Sequence, residues 1–195
     1  MRLTKLATEG NYSVCIKDKN SENVIDVKSK HYIAGHDGEG PTWLLNEIIS
    51  PDYERDNLSK YFGLYDDGAT VLLAYKMNSY ILISGLYTKR YSRRKNHAKN
   101  LVSLFIKTIF EQTDYTKIRL RILDDKNSLK NLYIKSADLA KCDVNIFSVA
   151  RYDEDFNYEF KYPFDVDKAC EKLHSNDERY NAVAEIVFTK NKTKN

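Results

Sequence analysis

The spacing of apolar residues changes several times along the chain, and each change marks an element. The run Lys117–Leu123, KIRLRIL, alternates basic and apolar side chains, with Ile118, Leu120 and Ile122 on one face. A period of two predicts a strand covered on one side. Before it, Ala98, Leu101, Val102, Phe105 and Ile109 fall at helical spacing, which predicts a helix ending near Gln112. After it, Leu129, Leu132, Tyr133 and Ala137 line one face of a second helix in DDKNSLKNLYIKSADLAK. Upstream, Tyr61–Tyr65 and Thr70–Met77 are strand-like runs flanking Asp66-Asp67-Gly68, a hairpin signal. The next run, SYILISGLYTKRY, is β-rich, and Gly85 in its interior predicts a bulge or a close backbone approach. Tyr12–Ile16 reads as a first strand. SENVIDVKSKHY, with Ser21 as its cap, and TWLLNEII, stopped before Pro51, read as helices. VNIFSVARYD and NAVAEIVFTK read as late strands with a charged helix, VDKACEKLHS, between them.

The order is β-α-α-β-β-β-α-β-α-β-β, which predicts an α/β (α+β) fold. The hairpin supplies antiparallel pairing, and each later strand–helix–strand unit supplies a crossover. The 195 residues suffice for one domain, 1–195, and the lysine-rich end 190–195 reads as frayed. Apolar residues make up 42% of the chain, enough for a sizeable core, and the net charge of +3 does not demand a polyanionic partner. Cys15, Cys142 and Cys170 are odd in number and widely spaced, so neither a disulfide framework nor a zinc site is indicated. The amino terminus lacks an apolar signal region and no stretch approaches a membrane span. These features predict a protein of a reducing cytoplasm that does not enter a membrane. Nothing in the pattern sets an oligomeric state.

The chemistry concentrates where the long strand meets the helix, in YSRRKNHAKNLVSLF. A strand running into a basic turn and then a helix is an anion site, because the first helical N–H groups and the helix dipole both favour negative charge. Basic residues at a helix amino end oppose the dipole, so they do not serve helix stability. Three readings stand at this point: a solvated helix start, a patch for nucleic-acid phosphates, or a cradle for a phosphorylated cofactor. A second feature is the loop KHYIAGHDGEGPTW, with His31, His36 and Trp43. The spacing of its histidines matches no standard ligand pattern, so no metal site is predicted.

LYTKRYSRRKNHAKNL resembles motif A of the GCN5-related N-acetyltransferases, in which a strand and a turn of pattern Arg/Gln-x-x-Gly-x-Gly/Ala lead into a helix. Arg93 stands at the basic position, Asn96 at the first glycine and Ala98 at the last small position. Downstream, NSLKNLYIK is similar to the family's Asn-x-x-Ala-x-x-Leu-Tyr helix, with Lys126 in the asparagine register and Asn127 one later. Ala137-Asp138 replace the usual Gly-Phe. The resemblance covers residues 58–139, with 150–195 loosely covered. It implies a mixed, mostly antiparallel central sheet flanked by helices, and acetyl-CoA or another acyl-CoA as cofactor.

The resemblance further implies that the backbone of Leu86, Tyr87 and Thr88 faces the pantetheine. The amides of Arg94, Lys95, Asn96, His97 and Ala98 take the pyrophosphate, Arg93 adds charge, and Asn127 joins the cofactor site. Asn96 replaces a glycine, but asparagine visits the left-handed region more readily than most residues. Tyr133 either protonates the leaving thiolate or packs as an apolar-face tyrosine. The implied acceptor is a small-molecule or macromolecular amine, with His31, His36 and Trp43 beside it. SYILISGLYT lacks the carboxylate that many relatives use as base. A loop histidine, a water chain or an amine already neutral on arrival is left for that task. A nucleic-acid partner and a non-catalytic binding protein of the same fold remain alternatives.

Overall fold

The expected hairpin is the middle of an eight-stranded sheet. A computed structural model describes residues 4–17, 60–65, 69–123, 127–152 and 180–191. In chain order its elements are β1 (Thr4–Glu9), β2 (Tyr12–Lys17), β3 (Lys60–Tyr65), β4 (Thr70–Lys76), β5 (Ile81–Thr88), α1 (His97–Gln112), β6 (Lys117–Leu123), α2 (Asn127–Ala140), β7 (Asp143–Tyr152) and β8 (Tyr180–Thr189). The sheet order is β1-β2-β3-β4-β5-β6-β8-β7. Every neighbouring pair is antiparallel except β5 and β6, which α1 joins as a crossover. This is the mixed, mostly antiparallel sheet that the resemblance implies. The expected helices within 21–49 and the charged helix VDKACEKLHS lie outside the described residues, as do Asp66–Gly68 at the hairpin tip.

The amino-terminal strand β1 is not among the expected elements. It is an edge strand that is only partly covered, so no apolar alternation marks it. Its one signal is the Gly10-Asn11 pair before Tyr12, and Gly10 adopts a positive φ of 56° there.

The helical periodicity has the expected consequence. Leu101, Val102, Phe105, Ile106 and Ile109 of α1 are buried against Val14, Tyr61, Leu72, Ala74 and Ile81 of the sheet. Burying one such side chain stabilises by about 1.5–3 kcal/mol. Gly63 lets the helix sit close, since a Cβ there would lie 3.1 Å from Leu101 Cδ1. The alternating residues Cys15, Phe62, Val71 and Leu73 are buried too, so both faces of the central strands are covered. Helix α2 docks on α1, where Ser136 Oγ donates to the carbonyl of Lys99 at 3.1 Å.

Strand β5 is irregular along both of its edges. Its pairing with β4 slips between Leu73 and Ala74, because Leu73 faces Gly85 and Ala74 faces Ile83, which leaves Ser84 as an extra residue. That is the bulge expected from Gly85. On its other side β5 pairs with β6 only at Ile81–Ile118 and Leu82–Arg119. Beyond Leu82 the edge of β5 that faces β6 has no strand partner among the described residues.

Candidate functional site

The chain leaves β5 through a one-turn 3₁₀ helix, Arg90–Ser92, and a short basic turn before α1 begins. Arg93 is extended, and its Nε donates to the carbonyl of Thr88 at 3.0 Å, which ties the turn to the end of β5. Arg94 and Asn96 both take left-handed backbone, with φ of 62° and 63°. Asn96 is the N-cap of α1 and therefore keeps the conformation that a glycine would adopt at this position.

The start of α1 is left open by its own sequence. Asn96 makes no side-chain cap bond, and the first turn holds no acidic residue. The first intrahelical bond of the cap runs from the amide of Asn100 to the carbonyl of Asn96. The amides of His97, Ala98 and Lys99 precede it and have no intrahelical acceptor. A buried anion would satisfy them and the dipole together.

A cavity of about 470 Å³ opens at this point between the end of β5, the basic turn, the first turn of α1 and one face of α2. Of the expected site residues, Leu86, Tyr87, Thr88, Arg93, Arg94, Asn96, His97 and Ala98 line it, and Lys95 does not. Asn127 opens α2, and its side chain is outside the described residues. His31, His36 and Trp43 also lie outside them. Lys99, Asn131 and Lys135 line the cavity as well and were not expected from sequence. Their signal is spacing: Ser128, Asn131 and Lys135 repeat at three and four residues, a polar stripe beside the apolar face of α2. Four cationic side chains, Arg93, Arg94, Lys99 and Lys135, thus surround one cavity whose lining includes no carboxylate among the described residues.

Tyr133 is placed elsewhere. It is 4% exposed, belongs to the core, and packs beside Phe188 with ring centroids 6.3 Å apart. It does not line the cavity, and burial pushes its phenol pKa well up. Of the two readings open for this residue, its surroundings are those of a packing tyrosine.

His97 carries contacts that the sequence did not announce. Its ring stacks on Tyr65, with centroids 3.8 Å apart and planes at 18°. Its Nδ1 lies 3.0 Å from the hydroxyl of Tyr12, which also accepts from Asn100 Nδ2 at 3.3 Å. Tyr12, Tyr65 and His97 are brought together across three elements, and no local pattern links them.

Among the described residues no group of three His, Cys, Asp or Glu side chains is placed to hold a metal, and no helix is long and apolar enough to cross a membrane. No protein-family model matches the sequence, and no curated protein matches it significantly. The fold is matched by solved structures, and it is that of the GCN5-related N-acetyltransferases. The ribosomal-protein-S18-alanine N-acetyltransferase of Escherichia coli is similar at a TM-score of 0.53 and 13% identity, over 94% of this chain and 97% of that one. A spermidine N-acetyltransferase chimera from Vibrio cholerae SpeG and hSSAT is similar at 0.51 and 10%, over 92% and 96%. The spermidine/spermine N-acetyltransferase of Vibrio cholerae is similar at 0.50 and 10%, over 92% of each chain. At such identities the likeness is one of fold.

Proposed function

We propose that this chain is an acetyl-CoA-dependent N-acyltransferase acting on an amine, small or macromolecular. One observation carries the reading. The uncapped start of α1, turned by a left-handed Asn96, opens among four cations onto a cavity beside the bulged end of β5. This arrangement suits a diphosphate joined to a long, mostly uncharged arm. The three fold matches are N-acetyltransferases and support the same reading.

Acetyl-CoA, or another acyl-CoA, supplies a thioester already activated toward an amine. The chain supplies placement. The amides of Arg94 to Lys99 would hold the pyrophosphate, with Arg93, Arg94, Lys99 and Lys135 adding charge. The backbone of Leu86, Tyr87 and Thr88 would run along the pantetheine, beyond the last residues of β5 that pair with β6. An N–H on that edge would stabilise negative charge on the thioester oxygen. Among the described residues the cavity lining offers no carboxylate as base, and an acceptor amine that arrives neutral or loses its proton to water would need none. His31, His36 and Trp43 are our candidates for the acceptor side.

A second reading is a CoA-binding protein without turnover. The lack of a carboxylate in the lining among the described residues and the buried Tyr133 favour it. Two measurements separate the readings. Acetyl-CoA at one hundred times its dissociation constant should stabilise the protein by about 2.7 kcal/mol in a thermal melt. No shift at millimolar cofactor would sink both. Thiol release from acetyl-CoA across a panel of polyamines and peptide amines then decides between them: binding without release leaves the second.

A further inference from the structure

Beneath the first turn of α1 the sheet carries a row of hydroxyl-bearing side chains. Tyr12 faces Tyr65 across β2 and β3, Tyr65 faces Thr70 across β3 and β4, and Thr70 faces Thr88 across β4 and β5. Thr88 lines the cavity. Thr70, next to it, is fully buried, and its hydroxyl has no hydrogen-bond partner among the described residues. An orphaned buried hydroxyl costs free energy, so it calls for a partner from outside the described residues.

His97 is fixed over this row by two contacts, the stack on Tyr65 and the bond at Nδ1 to Tyr12. Asn100 already donates to the Tyr12 oxygen, which leaves the phenol's own proton available to Nδ1. In the tautomer that accepts at Nδ1, the ring proton lies on Nε2. Nε2 has no partner among the described residues, and the residue lines the cavity at the uncapped helix start. The ring is therefore held by two contacts, with Nε2 left to a partner from outside the described residues.

We infer that the His97 side chain is a ligand-binding group: its Nε2–H donates a hydrogen bond to a phosphate oxygen held at the start of α1. Tyr12, Tyr65 and Asn100 are positioning residues that fix its tautomer and ring plane. The inference rests on the proposed cofactor site and assigns to it a side-chain donor beyond the backbone amides.

Amide side chains give a discriminating test, because asparagine reaches about where Nδ1 lies and glutamine about where Nε2 lies. CoA and inorganic pyrophosphate are titrated calorimetrically into the unsubstituted protein and into His97→Gln, His97→Asn and His97→Phe. A hydrogen bond to a charged group makes about a tenfold difference in affinity. His97→Asn and His97→Phe should therefore weaken both ligands about tenfold, while His97→Gln stays within about threefold. A residue that only clamps the turn through Nδ1 predicts the reverse order. Full binding by His97→Asn, or a loss in His97→Gln equal to that in His97→Phe, overturns the inference and leaves the cofactor reading standing. Absence of binding by the unsubstituted protein removes both. Should the variants not fold, nitrogen-15 spectra of the unsubstituted protein decide. Nε2 should carry the proton at neutral pH and shift on adding pyrophosphate, and an unmoved Nε2 overturns the inference.

Discussion

Asn96 holds a backbone conformation that most residues resist. Its φ of 63° is left-handed, and it is the cap from which α1 starts. An alanine there would meet the steric cost of that region, about 1 kcal/mol, which asparagine tolerates more readily than most residues. Asn96→Ala should lower stability by about 1 kcal/mol in urea unfolding, and Asn96→Gly should stay within about 0.5 kcal/mol. Equal loss in both would mean that the asparagine side chain, not its backbone, holds the turn. Tyr133 makes a contrasting case. Its environment is the core, so Tyr133→Ala should cost about 3–5 kcal/mol, as large-to-small core substitutions do. Tyr133→Phe keeps the ring, and its melting temperature and any CoA-dependent turnover should stay near those of the parent. A collapse of turnover in Tyr133→Phe with an unchanged melting temperature would restore the acid role.

Elements were legible wherever one face of a periodic run is buried. β6 begins and ends where KIRLRIL does, and α1 ends at Gln112, where its run of buried residues gives way to exposed ones. The edge strand β1 lacks that contrast and could be read only from the Gly10-Asn11 turn. The candidate site divides in the same way. Its turn is contiguous in sequence, so Arg93 to Ala98 could be singled out. Lys135 and the Tyr12–Tyr65–His97 cluster reach it through tertiary packing, which no local period encodes. The outer face of β6 shows another contact made only by folding. Arg119 donates to Glu185 Oε1 from Nε at 3.0 Å and from Nη2 at 2.5 Å, with Arg121 Nε 3.6 Å away. Glu185 is 3% exposed, while its arginines reach water at 30% and 37% side-chain exposure. Removing the carboxylate returns two part-solvated cations to water rather than stranding them. Glu185→Ala should then cost about 2 kcal/mol in chemical denaturation, below the 3–5 kcal/mol of a fully buried pair. A loss below about 0.5 kcal/mol would mean that the pair behaves as a surface one.

Over the whole molecule, burial of acidic protons should set an alkaline limit to stability. Cys15 and Cys142 are both pushed up to about 11 from an ordinary 9.0, chiefly by burial. Tyr61 and Tyr133 are raised from 10.0 for the same main reason. In each case the folded chain keeps a proton that the unfolded chain gives up. Stability from these groups is therefore fully present below pH 9, where neither state has ionised. It is lost as pH rises from 9 through 11, since the unfolded state there binds fewer protons than the native one. The melting temperature should fall progressively across that window. Much of the fall should go with the thiols, so a Cys15→Ala, Cys142→Ala double variant should start lower and decline less steeply. The same burial keeps the native thiols protonated, so a disulfide reagent at pH 8 should modify them far more slowly than it does in denaturant. A parent and double variant with parallel pH profiles would show that other groups govern the alkaline limit. Rapid labelling of Cys15 in the native protein would show instead that the central strands open readily, since this thiol is fully buried between β1 and β3.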